Sequence, residues 1–377
     1  MKKVQSPILK YSSVLALAVV SLVSCKQKPN LKPSFYLGAD LSYVNELEDC
    51  SGIYREKGEK VEPFGYFAKK GSNLIRLRLW HTPEFNNYSS LSDVEKSLKR
   101  AKNANQSVLL NFHYSDNWAD PSKQIMPRAW QKIKNLNILG DSVYNYTLST
   151  LTYLNSRGLT PEMVQIGNET NIGIIQHPDS ASNGPINWKR NAFLLNKGLE
   201  AVADFNKTNK QKVETMLHVA QPENAEWWFK DANVNSVKNY DWIGVSYYPK
   251  WSKYDLNKLE STLKNLKNRY SKRLMVVETG YPYSTAEYDK ANNMLDKDAA
   301  IKNYPISPEG QLSFMVDLVK TCKNAGAEGV VYWEPAWIST ACKTQWGTGS
   351  HWENAAFFDA GNSNEALPVF KFFKPIF

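Results

Sequence analysis

Eight short apolar runs, each followed by a stretch of helical periodicity, constrain this 377-residue chain more than any other feature. They are Tyr36–Leu41, Asn73–Trp80, Ser107–Tyr114, Met163–Glu169, Val213–Ala220, Trp242–Tyr248, Leu274–Thr279 and Gly329–Glu334. Runs of this length, rich in Val, Ile and Leu and lacking polar alternation, read as strands buried on both faces. Between them, Leu91 to Ala104 opens with Ser92 and Asp93 as caps and sets Val94, Leu98 and Ala101 on one face. Asn187 to Phe205 does the same with Phe193, Leu194, Leu199 and Val202, and Ser307 to Ala325 starts with Ser307-Pro308-Glu309. Eight such units predict an α/β fold, a (β/α)8 TIM barrel, rather than an open sheet. No internal repeat or low-complexity linker interrupts them, so residues 35–377 read as a single catalytic domain.

Composition narrows the function classes. Hydrophobic residues make up 42% and charged residues 22%, which excludes wholesale disorder and a coiled-coil or collagen-like rod. The net charge of +9 is spread over predicted helices such as Asp255 to Lys272, a solvated face rather than a nucleic-acid site. No Cys/His cluster has zinc spacing, and the five histidines are scattered. The chain carries 12 Trp, 20 Tyr and 15 Phe, enough flat side chains for a large core and for a surface that stacks on something flat.

The N-terminus reads as an address. Lys2, Lys3 and Lys10 precede an apolar run from Val14 to Val23 that ends in small residues, the order of a secretory signal. Leu22-Val23-Ser24-Cys25 resembles a bacterial lipobox. It implies a signal peptide over 1–24, a lipidated Cys25 anchoring the chain in the cell envelope, and a tether over 25–34. Which side of the outer membrane it faces is left open, since Lys26-Gln27-Lys28 is basic. Three cysteines remain, Cys50, Cys322 and Cys342, and the sequence does not choose a pair among them.

In a barrel of this kind, polar residues at the C-terminal ends of strands face the active site. Glutamates end the fourth and seventh runs, Glu169 and Glu278, across the mouth from one another. Two carboxylates about 5 Å apart suit glycoside hydrolysis in which one attacks the sugar and the other protonates the leaving oxygen. An Asn-Glu pair ending strand four and a Glu ending strand seven resemble clan A of the retaining glycoside hydrolases. Six motifs narrow the resemblance: Leu37-Gly38-Ala39-Asp40-Leu41-Ser42, Arg76-Leu77-Arg78-Leu79-Trp80, His113 through Pro121, Gln165-Ile166-Gly167-Asn168-Glu169, Glu278-Thr279-Gly280-Tyr281-Pro282 and Tyr332 through Trp337. In order, one per barrel unit, they are similar to glycoside hydrolase family 53, the endo-β-1,4-galactanases.

The resemblance implies that Glu169 is the acid/base, kept protonated by burial and by the second carboxylate, and that Glu278 is the nucleophile. It implies that Asn168 bonds the sugar 2-hydroxyl, that a strand-two arginine orients Glu278, that His113 lines the reducing end and that Trp333 is the platform under the sugar. Alternation points Arg76 and Arg78 the same way; the reading favours Arg76, with Arg78 a neighbour or buried structural partner. Tyr247 or Tyr248 is expected to donate its hydroxyl to Glu278. Asp40 and Asp116 are grouped with the substrate-binding residues, although Asp116 and Asp120 also suit turn caps. Trp118, Trp251, Trp337, Trp346 and Trp352, on predicted loops, extend the cleft or fill the core; Trp118 and Trp346 are assigned to substrate.

Some bacterial members of the family carry calcium after strand seven. Here Thr285 to Met294 has no glycine and only two carboxylates, so no metal and no cofactor are expected. That loop, reaching to about Pro308, is expected to shape the distal sugar sites. The implied protein is a lipid-anchored monomer that cleaves β-1,4-galactan polysaccharide or oligosaccharide with retention, without nucleic-acid partners. Two other readings remain at this point: a clan A enzyme acting on mannan, xylan or β-glucan, and a glycan-binding lipoprotein without catalysis.

Overall fold

The eight apolar runs form eight parallel strands, numbered along the barrel: β1 (Tyr36–Asp40), β2 (Leu74–Leu79), β3 (Ser107–Phe112), β4 (Met163–Ile166), β5 (Glu214–Ala220), β6 (Trp242–Ser246), β7 (Arg273–Glu278) and β8 (Gly329–Tyr332). Each pairs with its sequence neighbours, and β8 pairs with β1 to close the barrel. The computed structural model describes residues 1–3, 33–179, 184–341, 343–344 and 346–374, with a compact unit beginning at Ser34. The expected lipidation site Cys25, nearly all of the expected leader and tether, and Cys342 lie outside the described residues. Among the described residues no helix is long and apolar enough to cross a membrane.

Alternation along the strands sorts the interior into layers. The lower layer is apolar: Tyr36, Leu74, Leu109, Met163, Met216, Trp242 and Met275 are buried together, with Arg273 stacked 3.9 Å from the Trp242 ring centroid. Two residues further along β2, β3, β4 and β5 the inward side chains become polar, Arg76, Asn111, Gln165 and His218, and on β1 Asp40 stands four beyond Tyr36; all five are buried. Register places Asp40 beside Arg76 and Asn111 beside Gln165. Between β6 and β7 the register shifts at Val245/Ser246, which sets Ser246 beside Glu278. The other faces of the strands pack against the helices in one continuous core.

Seven α-helices cover the barrel: α2 (Pro63–Lys70), α3 (Leu91–Asn103), α4 (Leu136–Ser156), α5 (Trp188–Thr208), α6 (Pro222–Val234), α7 (Leu256–Tyr270) and α8 (Pro308–Asn324), with a short α1 (Val44–Asp49) before α2. Asn187 and Ser307 cap α5 and α8. The cap of α3 is Ser90, not Ser92 or Asp93. Asp93 instead turns its carboxylate back to accept from the Ser89 N–H and Asn45 Nδ2, which ties the helix start to α1. Among the described residues the eighth unit has no α-helix. A 3-10 segment, Pro368–Phe373, fills the space between α8 and α2 with stacked phenylalanines. Gly71 admits this segment: it ends α2 at φ +114, and a Cβ there would stand 2.6 Å from the Phe373 carbonyl oxygen. Cys50 is disulfide-bonded, and Cys322 is free and buried.

The long loop after β7 is laced to the one after β8. Met294 N–H donates to the His351 carbonyl and Tyr283 N–H to that of Asn354, while Trp352, fully buried, packs on Gly280 two residues past Glu278. A Cβ on Gly280 would overlap the Trp352 indole. Gly280→Ala is therefore expected to cost about 1–3 kcal/mol through overpacking, read as a lower midpoint in urea denaturation.

Candidate active site

Glu169 and Glu278 meet over the polar layer. An oxygen of each carboxylate lies within 4.8 Å of the other and of a His218 ring nitrogen. Glu278 ends β7 directly. Glu169 stands three residues beyond β4, where the chain turns through Gly167 at φ +82 and Glu169 itself at φ +44. A non-glycine residue at positive φ costs about 1–3 kcal/mol, so the surroundings must hold it. They do so from two sides: Gln124 Nε2 donates to the carbonyls of Asn168 and Glu169, and the Glu169 N–H donates to His218 Nδ1.

Arg76 favours the charged form of the second carboxylate. Its Nη2 lies 2.8 Å from Glu278 Oε1, and its Nη1 is 2.7 Å from Asp40 Oδ2. Burial works against the Arg76 cation, but the flanking carboxylates outweigh it and raise its pKa, so the charge is permanent. Tyr248 donates its hydroxyl to Glu278 Oε2 at 3.1 Å. Burial raises the affinity of both glutamates for a proton. Arg76 and Tyr248 pull Glu278 back, while the charge of Glu278 pushes Glu169 further up. Of the pair, Glu278 ionises first and Glu169 keeps its proton.

The two strand-two arginines divide their work. Arg78 pairs with Glu334, fully buried after β8, at 3.2 Å, and its guanidinium stacks on Tyr43, Trp80 and Trp118. Trp118 thus rests on a cation 4.2 Å from its ring centroid. Asn168 spends Oδ1 on Arg76 Nη2 and Asn111 Nδ2 and one Nδ2 hydrogen on the Ala119 carbonyl. Its other Nδ2 hydrogen is available to a ligand.

Above the carboxylates opens a cleft of about 810 Å³, lined by Glu169, Glu278, Asn168, Tyr248, Trp118 and Trp333 among others. Trp333 is wedged edge-on between Trp118 and Trp352, at 5.8 and 4.8 Å between centroids. Trp251 and Trp346 line the rim and are exposed. On the side of β3, Ala119 to Ser122 border the cleft, and Met294 does so from the loop after β7, diametrically opposite in an eight-stranded barrel.

Five residues expected to touch substrate do not line this cleft. Asp40 is buried beneath it on Arg76. Arg76 is buried and bonded to Glu278, which does line the cleft. His113 is buried, its Nδ1 accepting from the Ala119 N–H, and burial holds it neutral with its pKa well below the ordinary value; it braces the loop after β3. Asp116 caps turns with both oxygens, accepting from the Thr82 and Arg128 N–H groups. Tyr247 points away and donates to the Tyr254 carbonyl, so Tyr248 is the residue beside Glu278.

Several cleft residues carried no motif signal. Gln221 and Asn224 line it from the start of α6, and Met294 and His351 from loops whose course depends on the tertiary fold. His218 and Ser246 sit on strands, at inward positions that alternation alone would have exposed. Glu169, His218 and Glu278 bring donor atoms within 4.8 Å of one another, and several of those atoms are bonded within the protein. Glu278 is bound by Arg76 and Tyr248, while Ser246 bridges Glu169 and His218.

The sequence profile of glycosyl hydrolase family 53 matches residues 36–373. The chain belongs to glycoside hydrolase family 53. An arabinogalactan endo-beta-1,4-galactanase of Cellvibrio japonicus (strain Ueda107) is 50% identical over 367 residues, 97% of this chain and 96% of that protein. Among solved structures, the Ignisphaera aggregans GH53 catalytic domain superposes with a TM-score of 0.83 at 31% identity, covering 93% of this chain and 98% of that one. A fungal beta-1,4-galactanase structure gives 0.76 at 30% identity, with 90% and 99% covered. Membership in family 53 agrees with the paired glutamates over Arg76.

Removing the Tyr248 hydroxyl takes a donor from ionised Glu278 and raises its pKa. With Glu278 as the nucleophile that the resemblance implies, the acid limb of kcat/KM in Tyr248→Phe is expected to move to higher pH, by about one unit. Tyr247→Phe leaves the pH profile in place.

Proposed function

We propose that this family 53 chain is an endo-β-1,4-galactanase that hydrolyses the β-1,4-galactan side chains of pectin with retention. One observation carries the mechanism: two carboxylates with oxygens within 4.8 Å at the floor of the cleft, one paired with a permanent cation and the other holding its proton. Inverting enzymes need about 6.5–9.5 Å for an intervening water; the shorter distance leaves room for direct attack. Glu278 attacks the anomeric carbon while Glu169 passes its proton to the glycosidic oxygen, and the bond to the leaving sugar breaks. A glycosyl ester on Glu278 results. Water then enters, gives a proton to Glu169 and attacks the same carbon, returning Glu278 to a carboxylate. Two inversions leave the configuration retained.

The galactan assignment rests on the galactanase named at 50% identity and near-complete coverage. The cleft suits a chain rather than a chain end, running between loops on opposite sides of the barrel with tryptophans at its rim. Asn168 Nδ2 is assigned to the sugar 2-hydroxyl, Trp333 to the ring at the cleavage point, and Trp118 and Trp346 to neighbouring sugars.

The test is reducing-sugar release from linear β-1,4-galactan beside mannan, xylan and mixed β-glucan, using protein lacking residues 1–25. Release from galactan alone is expected, abolished in Glu278→Ala, with the β-anomer appearing first by proton NMR. Cleavage of another polymer would keep the mechanism and replace the substrate. Inactivity on all four would favour a glycan-binding lipoprotein.

We also propose export and lipid anchoring through Cys25, with the enzyme acting as a monomer on its polymer. The lysines at 2, 3 and 10, the apolar run and the Ser24-Cys25 junction support this reading. Labelled palmitate is expected to enter the full-length protein in a bacterial host and to be lost in Cys25→Ala.

A further inference from the structure

Glu169 has two oxygens, and the chemistry requires the proton on the one that faces the sugar. Ser246 Oγ lies 2.6 Å from Glu169 Oε1 and 2.8 Å from His218 Nε2. A hydroxyl has one hydrogen, so these two contacts can be satisfied in only two directions. Either Ser246 donates to Glu169 and accepts from the histidine, or it donates to the histidine and accepts from a proton on Oε1.

The far side of the histidine decides. His218 Nδ1 faces the backbone N–H of Glu169 at 3.3 Å, a donor whose direction admits no alternative. It also faces Gln165 Nε2 at 2.9 Å. That amide is oriented by Arg76, which donates to its Oε1, so Nε2 faces Nδ1 as a donor, sharing its hydrogens with the Gly167 carbonyl and Asn111 Oδ1. Nδ1 is therefore the acceptor, and the single hydrogen of the neutral ring sits on Nε2. Burial and the nearby Arg76 cation keep the ring neutral. Asn168 Oδ1, 3.2 Å from Nδ1, is held in place by its bond to Arg76.

We propose that His218 and Ser246 are positioning residues, a two-bond relay running His218 Nε2–H to Ser246 Oγ–H to Glu169 Oε1, which confines the catalytic proton to Oε2. Oε1 is occupied as an acceptor; Oε2 has no protein hydrogen bond among the described residues and belongs to a side chain that lines the cleft. The relay transfers no proton of its own. When Glu169 gives the Oε2 proton to the leaving oxygen, the new negative charge is met at Oε1 by a hydroxyl already aligned and polarised from behind. When water returns the proton, the same bond directs it back to Oε2.

Both relay residues are fully buried on adjacent strands, β5 and β6, where register sets His218 beside Gly244, two residues before Ser246. The charged and titratable groups facing Glu169 come from every side: Arg76 on β2, Asp120 after β3, His218 on β5, Tyr248 after β6 and Glu278 on β7. Ser246 is the side chain that hydrogen-bonds to it directly.

This inference rests on reading Glu169 as the acid/base, and its test has one arm that needs no substrate. The infrared carboxyl band of Glu169, identified by its loss in Glu169→Gln, is titrated in the full chain and its variants. Ser246→Ala removes the donor to the ionised form, so Glu169 is expected to titrate about one pH unit higher. His218→Leu shifts it the same way by less. Ser246→Thr, which keeps the hydroxyl, restores the native value. If Ser246→Ala does not fold, Ser246→Cys, a weaker donor of similar size, carries the same expectation. In the kinetic arm the alkaline limb of kcat/KM on galactan moves up with the carboxyl. A loss of packing alone would lower the rate without moving that limb. Glu169 titrating at the native pH or below it in both Ser246→Ala and His218→Leu would overturn the relay. A native chain inactive on galactan would instead sink the substrate assignment and leave the infrared titration to judge the relay.

Discussion

A single buried guanidinium organises this active site. Arg76 lies inside the barrel, where an unpaired cation would be prohibitive, and the surrounding strands answer it with Asp40, Glu278, Gln165 Oε1 and Asn168 Oδ1. Each of these is fixed by its own strand, so the arginine links β1, β4 and β7 through one planar group. Glu278 is ionised because of it, and Glu169 keeps its proton because it is buried and stands beside that charge. The division of labour between two chemically identical side chains thus follows from where one cation sits.

The polar layer extends this logic around the barrel. Asn111, Gln165, His218 and Ser246 touch no cleft surface, yet their hydrogen bonds run without a break from Arg76 to Glu169. Such a network is stable only when nearly every donor finds an acceptor, and that condition dictates the tautomer of His218 and the orientation of both amides. Catalytic groups at strand ends are held by residues that look, from the sequence, like ordinary barrel filler.

The barrel itself was legible because strands buried on both faces are predominantly apolar, and the eight runs are short and mostly apolar despite the polar residues several of them carry. Their ends, with Asn168-Glu169 and Glu278, were legible for the same reason: a polar residue there has no structural excuse. What escaped were choices made by tertiary contacts. Tyr247 and Tyr248 cannot be told apart by alternation, because the register shift at Val245/Ser246 breaks the count just before them. Asp116 and His113 stand in a loop motif whose turns consume their polar atoms. Asp93 resembles a helix cap until α1 supplies Asn45 as a partner. Among the described residues the eighth helix is missing because Gly71 lets a short phenylalanine-rich segment come close enough to replace it.

The apolar lower layer has a consequence for the order of events. Tyr36, Leu74, Met163, Trp242 and Met275 are packed together in the barrel, with Arg273 stacked on Trp242, and the carboxylates open instead on the cleft. On the proposed mechanism the hydrolytic water enters by the mouth, and the space it needs beside Glu169 is the space the departing sugar occupied. The mouth of the barrel thus acts as a one-way valve in time: the severed chain end must leave before the intermediate can be released.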